Sequence, residues 1–372
     1  MSLKKHGSID AWSQIAHPDF IKGVPEVSRL LLQSKTPLAW SEKGLTPEQT
    51  IQLMDKAGVE KICLSAWYRP GKAVITNDMI SEWTQKYSDR FIGIAGVNLL
   101  DPFGAVKELE RAVNVLGFKG LRIIPWLYNL PPNDKHYYPL YVKCIELDIP
   151  FFTQVGHTGP LCPSETGRPI PYLNEVALTF PQLKIVGGHV GYPWTNEMIA
   201  LCWKHPNVYV DTSAWLPRYY PPELIHYIET YGQDKVCYGT NFPQLSWEAT
   251  MKQVDELGLS DKKLGQLCPS IKCNTITTVK YSLAAEQANW IFPEIEEKIK
   301  HEIVVYEEKP TSALPLEKSV QLHTIQKKHK MPAPVLCNCE EKIFIRVKEA
   351  VENDITNKHE TFEECIQKTG LS

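Results

Sequence analysis

The sequence predicts an α/β fold, a (β/α)8 barrel of the TIM type with a small α-helical segment at its carboxyl end. Short β-rich runs recur eight times over roughly 240 residues, and helical patterns fill the gaps between them. Eight such units in about 250 residues fit a closed barrel. A doubly wound open sheet is the alternative, but no Gly-x-Gly-x-x-Gly follows the first run to support a dinucleotide fold.

The eight runs are rich in β-branched and aromatic residues, and most of them are followed by a turn residue. They span residues 7–12, 60–67, 90–99, 118–125, 149–156, 183–189, 207–213 and 234–240. Two of the intervening helices carry clear boundaries. The helix over 46–58 opens with Thr46 and Gln49 in a capping-box pattern and closes on Gly58, and the helix over 103–117 also ends on Gly.

The composition gives no indication of a nucleic-acid-binding, membrane-spanning or secreted disulfide-rich protein. The 372 residues are 43% hydrophobic and 22% charged with a net charge of −3, which gives no electrostatic reason to expect a nucleic acid or an anionic membrane as a partner. No apolar run of about 18 residues is present, and the amino terminus lacks the apolar core of a signal peptide. Ten scattered cysteines do not resemble a secreted disulfide framework. We therefore expect a cytoplasmic protein that acts on a small molecule.

The barrel is expected over residues 7–284. From about residue 285 the chain becomes rich in charge, which predicts a linker over 285–333. Residues 334–372 then read as a Cys-x-Cys pair followed by two short helices.

Two predicted strands end in a histidine, in PFFTQVGHTGP at His157 and in KIVGGHVGYPW at His189. Active sites of such barrels lie at the carboxyl ends of the strands, so matched strand-end histidines are candidates for one shared site. Imidazole nitrogen suits borderline cations such as Zn²⁺, and it also serves as a general acid or base. A hydrogen-bonded structural histidine is the alternative for each position. Asp211 after strand seven is a candidate to orient a histidine, and the spacing alone does not decide this.

The motifs VGHTGP, GGHVGYPW and YGTNFP, with GFKGLR upstream, resemble the amidohydrolase-related family, which includes aminocarboxymuconate-semialdehyde and resorcylate-type decarboxylases. The resemblance covers about two thirds of the chain. It implies a distorted barrel with one divalent metal, held by a His-x-His on strand one, a histidine on strand five and an aspartate on strand eight. Carried over, His157 matches the strand-five ligand, and His189 matches the strand-six histidine that in this family orients or protonates the substrate or the attacking water. Family members are often dimers, which makes a homodimer one expectation.

The chain departs from this pattern at three ligand positions. Strand one carries Trp12 and Gln14 in place of the two histidines, and strand eight carries Asn241 in place of the aspartate. Tryptophan cannot ligate a metal, and neutral amides are weak ligands. This argues against a tight site, with His157 the one remaining candidate ligand for zinc or manganese.

We expect His157, His189 and Asn241 to carry the chemistry. Residues predicted to bind a flat carboxylated substrate are Trp12, Gln14, Arg122, Trp126 and Trp194.

The carboxyl-terminal segment resembles the first part of the [2Fe-2S]-binding domain of bacterioferritin-associated ferredoxin. Cys337 and Cys339 match its first ligand pair, for a cluster or a zinc ion, but the second pair is absent. A cluster needs four thiolates, so we do not expect one within a single chain. Free thiols on a remnant are the alternative.

The leading functional hypothesis is hydrolysis of a small carboxylated, aromatic or acyl substrate by histidine acid–base catalysis, with or without metal assistance. The alternatives are a carboxy-lyase of the same family, and a barrel that has lost catalysis and serves as a binding or redox-partner module.

Overall fold

Ten strands form the sheets of the structure, a computed structural model that describes residues 8–257. In chain order they are β1 (Ser8–Ser13), β2 (Val59–Ser65), β3 (Trp67–Arg69), β4 (Lys72–Ile75), β5 (Phe91–Ile94), β6 (Leu121–Ile123), β7 (Phe151–Gln154), β8 (Ile185–Gly188), β9 (Val208–Asp211) and β10 (Val236–Cys237). Eight of these are the strands that the sequence predicts. The antiparallel hairpin β3–β4, which follows the second barrel strand, is an addition that the sequence analysis missed.

The eight predicted strands close into a parallel barrel, which confirms the fold class. Strands β1, β2 and β5 pair in one sheet, and β6 to β10 pair in a second. A parallel bridge between Ala95 and Leu121 joins the sheets on one side. On the other side the Ala11 amide donates to the Tyr238 carbonyl at 2.9 Å. Because the strands are parallel, all of their carboxyl ends lie at the same end of the barrel.

Helices follow most of the barrel strands. Their bounds are α1 (Pro18–Gly23), α2 (Ser28–Gln33), α3 (Leu38–Glu42), α4 (Pro47–Ala57), α5 (Asn77–Lys86), α6 (Pro102–Asn114), α7 (Pro125–Tyr128), α8 (Tyr138–Glu146), α9 (Asn174–Thr179), α10 (Thr195–Lys204), α11 (Pro222–Glu229) and α12 (Trp247–Glu256). Short helical turns lie at Pro25–Val27, Glu165–Gly167, Pro169–Leu173 and Pro217–Tyr219.

Helix α4 has the ends that its sequence predicts. Thr46 accepts a hydrogen bond from the Gln49 amide, and the Gln49 side chain accepts one from the Thr46 amide, so the capping box is formed. Gly58 takes φ +74°, the left-handed conformation that ends a helix at low cost when no Cβ is present. These two caps satisfy backbone groups that would otherwise be left unpaired at the helix ends.

Asp10 joins the first strand to the last one and to α12. This fully buried carboxylate accepts hydrogen bonds from the hydroxyls of Ser13 at 2.6 Å and Thr240 at 2.5 Å, and from the Trp247 indole at 2.7 Å. The Trp12 and Thr240 backbone amides donate to it as well. Burial is the main cause that raises its pKa, and these hydrogen bonds oppose the rise. Asp10 thus fastens the seam where the barrel closes.

The predicted linker over 285–333, the predicted helices over 334–372, and the Cys337–Cys339 pair lie outside the described residues. Within residues 8–257, no helix combines the length and apolarity needed to span a bilayer.

Candidate active site

A cavity of about 600 Å³ opens at the carboxyl ends of the barrel strands. Five residues that the sequence predicts for the site line it together: Trp12, Trp126, His157, His189 and Asn241. The carboxyl ends of the barrel strands therefore bring these five side chains around one space.

His189 lies in strained backbone. It takes φ +76° and the next residue, Val190, takes φ +53°, in the left-handed region that β-branched and bulky residues rarely adopt. Strand β9 holds this turn, because the Asp211 carbonyl accepts a hydrogen bond from the Val190 amide at 3.0 Å. The imidazole packs against the Trp12 indole with ring centres 5.0 Å apart. Gly188 makes this contact possible, since a Cβ there would lie 2.6 Å from the Trp12 ring.

His157 is fixed through its backbone and one ring nitrogen. Its amide donates to the Tyr192 carbonyl at 2.7 Å, and its Nδ1 lies 3.3 Å from the same oxygen. Gly156 before it takes φ +88°, and a Cβ there would lie 2.6 Å from that carbonyl. The loops after β7 and β8 are thereby held together, which keeps the two histidines at one site.

Gln14 and Asn241 form one amide network. The Gln14 Nε2 donates to the Asn241 Oδ1 at 3.0 Å and to the Phe242 carbonyl at 2.5 Å. The Gln14 Oε1 accepts from Trp67 Nε1 at 3.3 Å and Arg122 Nη2 at 3.0 Å. Gln14 is 2% exposed and is not among the residues that line the cavity, so the structure places it behind the wall, and its contact with a substrate stays a prediction.

Arg122 is likewise buried, at 5% exposure, and stands outside the cavity lining. Its guanidinium carbon lies 4.7 Å from the Trp12 ring centre and 5.4 Å from that of Trp67, at cation–π distance. Burial lowers its pKa to about 9, with Asp211 among the groups that oppose the fall, so it stays cationic at neutral pH. The expectation that Arg122 holds the substrate stays a prediction; Arg122 lies outside the cavity lining and supplies a positive charge behind the two indoles.

Trp194 also lies outside the lining. It precedes α10, where its ring centre is 5.8 Å from the Arg168 guanidinium carbon. Its prediction as a substrate contact rested on its place after a strand, and the chain has already turned away from the cavity at this point.

Residues that the site prediction omitted complete the lining. Trp67 and Trp215 add two aromatic walls, and Gln154 adds a buried amide. Lys35 and Arg218 bring positive charge, while the described residues that line the cavity include no aspartate or glutamate. Trp67 ends one predicted strand and Trp215 follows another, so both were detectable from strand-end position. Lys35 lies just after α2 and Arg218 lies in the helical turn Pro217–Tyr219, and no signal in the sequence marks either of them.

A buried polar group lies behind His189. The Nδ1 of His189 lies 2.6 Å from the Ser213 Oγ, and the Ser213 hydroxyl donates a hydrogen bond to the Asp211 Oδ1. Burial raises the pKa of Asp211 to about 7. Burial, with the Arg122 and His157 charges adding to it, lowers the pKa of His189 to about 3, so its imidazole is neutral at pH 7.

We expect the unfolding free energy of the His189→Gln variant, relative to that of wild type, to rise by about 2–3 kcal/mol between pH 7 and pH 4.5. Because the pKa of His189 is lowered from 6.5 to about 3, its contribution to stability is present above pH 6.5 and is lost as pH falls. Asp211 has the opposite sign, since its pKa is raised from 3.8 to about 7 and its contribution grows as pH falls. In the wild type the pH-dependent contributions of His189 and Asp211 to stability nearly cancel. The His189→Gln substitution removes the contribution of His189 and leaves that of Asp211.

Urea unfolding at the two pH values measures this difference. The Asp211→Asn variant is the converse control, and its stability relative to wild type should fall over the same range. Identical pH dependence in all three proteins would show that neither group is held as the structure places it.

The donor set at the mouth does not fit a divalent cation. The side-chain oxygens of Gln14 and Asn241 already accept hydrogen bonds from N–H groups. In the described part of the chain, no cluster of three or more His, Cys, Asp or Glu side chains is arranged to hold a metal ion. A protein zinc site normally uses three such ligands, and His157 supplies one.

The sequence is similar to a known protein family and to proteins of known activity. Residues 66–267 match the model of the amidohydrolase family. A gamma-resorcylate decarboxylase from Polaromonas sp. strain JS666 is 25% identical over 256 residues, which cover 53% of this chain and 76% of that protein.

Solved structures show the same fold. A TIM-barrel protein from Bordetella bronchiseptica superposes with a TM-score of 0.63 at 19% identity, over 73% of this chain and 99% of that one. A dihydroxybenzoic acid decarboxylase from Polaromonas sp. JS666, with bound manganese and 2-nitroresorcinol, gives a TM-score of 0.52 at 19% identity over 70% and 94% of the two chains.

Proposed function

This chain belongs to the amidohydrolase family, and on that premise we propose that it is a carboxy-lyase that releases CO2 from a small aromatic acid. The observation that carries the proposal is the cavity itself. Four indoles, from Trp12, Trp67, Trp126 and Trp215, border a space that also contains two histidines. The relatedness to gamma-resorcylate decarboxylase supports the same chemistry.

The lining suits a planar anion. Indole faces bury the flat surface of an aromatic ring, with a further gain from ring stacking. Lys35 and Arg218 provide the charge that attracts a carboxylate, and no carboxylate in the described lining opposes it. An aromatic acid therefore matches the cavity in both shape and sign of charge.

The reaction breaks the bond between the ring carbon and the carboxyl carbon. The electron pair of that bond stays on the ring carbon and takes up a proton, and the carboxyl group leaves as CO2. Starting from the carboxylate anion of a ring-hydroxylated acid, transfer of one ring-hydroxyl proton to the ring carbon balances the reaction and leaves the product as a phenolate. We assign the delivery of the proton to His189, with His157 as the second acid–base group at the cavity.

We further propose that the barrel works without a resident divalent metal. The support is the chemistry of the donor set, in which Trp12 replaces an imidazole and the two amide oxygens are engaged by N–H donors. Arg122 places a permanent positive charge behind the Trp12 ring. The dihydroxybenzoic acid decarboxylase structure from Polaromonas sp. JS666 does contain bound manganese, so the metal content of this protein has to be measured.

Hydrolysis, the leading expectation from the sequence, stays an untested prediction, and no contact in the site favours it over decarboxylation. An assay with 2,6-dihydroxybenzoate and its methyl ester separates the hypotheses. We expect CO2 from the acid and no methanol from the ester. Methanol without CO2 would establish a hydrolase and overturn the proposal, and binding of the acid without either product would support a non-catalytic binding module.

A further inference from the structure

Three groups behind the cavity form a continuous hydrogen-bonded chain from His189 into the barrel wall. The His189 Nδ1 lies 2.6 Å from Ser213 Oγ, and that hydroxyl contacts the Asp211 Oδ1. Ser213 and Asp211 are both fully buried, at 0% exposure. The Ser213 and Asp211 end of this hydrogen-bonded chain is therefore shielded from bulk water, while His189 borders the cavity.

The direction of each hydrogen bond follows from what each atom is able to donate. The Asp211 Oδ1 accepts backbone N–H bonds from Ser213 at 2.8 Å and from His189 at 3.3 Å, so this oxygen is an acceptor whether or not the other carboxyl oxygen carries a proton. The Ser213 hydroxyl has one proton. It must point at Oδ1, because two oxygens in such close contact repel each other without a proton between them.

With its proton committed to Asp211, the Ser213 Oγ offers only lone pairs to His189. We infer that Ser213 is a positioning residue that holds His189 in the Nδ1–H tautomer and leaves Nε2 as the nitrogen that accepts a proton from the substrate. This inference deepens the proposed function, because its meaning for catalysis rests on that function. The tautomer itself follows from the hydrogen bonds alone.

The tautomer decides the order of proton transfers. His189 enters the reaction with an unprotonated Nε2, so it has no proton to give at the outset. It first takes a ring-hydroxyl proton of the bound carboxylate anion at Nε2. The imidazolium then returns that proton to the ring carbon as the bond to CO2 breaks, and His189 regains its starting state.

Nitrogen NMR of the full chain labelled with ¹⁵N-histidine tests the inference. The chain has 11 histidines, and the His189→Gln spectrum identifies the signals of His189. At pH 7.5 we expect a protonated Nδ1 and an unprotonated Nε2. The Ser213→Ala variant should lose this preference and populate both tautomers, and Ser213→Thr, which keeps the hydroxyl, should restore it.

Turnover gives a second readout. We expect Ser213→Ala to lower kcat for CO2 release by about 100-fold with KM within about twofold, and Ser213→Thr to recover most of the rate. A wild-type His189 with its proton on Nε2, or an unchanged tautomer in Ser213→Ala, would overturn the inference. The predicted tautomer in a protein that releases no CO2 would leave the positioning by Ser213 intact and overturn the proposed function alone.

Discussion

Replacement of His189 by Gln is expected to lower kcat for CO2 release by about 10² to 10⁴-fold, the usual contribution of a positioned acid–base group. Glutamine occupies a similar volume and still forms hydrogen bonds, but it cannot carry a proton between substrate atoms. The ring at this position packs 5.0 Å from Trp12, so a side chain of similar size keeps the cavity wall. Steady-state kinetics on 2,6-dihydroxybenzoate measures the effect.

The matched control is His226→Gln, which changes an exposed histidine on α11 away from the cavity. This variant should keep the wild-type rate. Equal rates for His189→Gln and wild type would remove His189 from the chemistry. An increase in KM with unchanged kcat would reduce it to a binding contact.

The largest loss of stability is expected from Asp10→Ala, at about 3–5 kcal/mol in the free energy of unfolding. The change removes the acceptor of five hydrogen bonds and leaves buried donors on Ser13, Thr240 and Trp247 without it. These donors lie on both sides of the seam that closes the barrel. Urea unfolding followed by tryptophan fluorescence provides the measurement.

Asp89→Ala, at an exposed turn position, serves as the control and should change the free energy of unfolding by no more than about 0.5 kcal/mol. Asp10→Asn is the finer test, since it keeps the shape and replaces one acceptor oxygen with a donor. A loss below about 1 kcal/mol for Asp10→Ala would mean that the five contacts are readily replaced by water.

The barrel was predictable from sequence because its strands are apolar on both faces and end at turn residues. The hairpin β3–β4 was missed since Trp67 was taken as the end of the preceding strand, and the short run after it has no alternation that marks a separate hairpin. The last barrel strand was predicted over seven residues, but only Val236 and Cys237 form regular strand pairs. Beyond them the chain contacts the first strand through single hydrogen bonds, such as the one from the Asn241 amide to the Trp12 carbonyl.

The site was predictable only in part. Strand-end position identified His157 and His189, but it does not tell which side chains reach the cavity. Arg122 was expected to hold an anionic substrate because it closes a predicted strand; in the structure it is buried, with Gln14 and two indoles as its partners. Ser213 carried no signal, since its effect on His189 depends on a contact between two strands that only the folded barrel creates.

The central claim, decarboxylation without a resident metal, is tested most directly by CO2 release from 2,6-dihydroxybenzoate after exhaustive treatment with a chelator. Metal content is determined on the same sample. We predict that the metal-depleted protein keeps the full rate and that added manganese or zinc does not raise it. A rate that falls with the metal and returns on addition of manganese, and that is lost in His157→Ala, would contradict this account and establish a metal site.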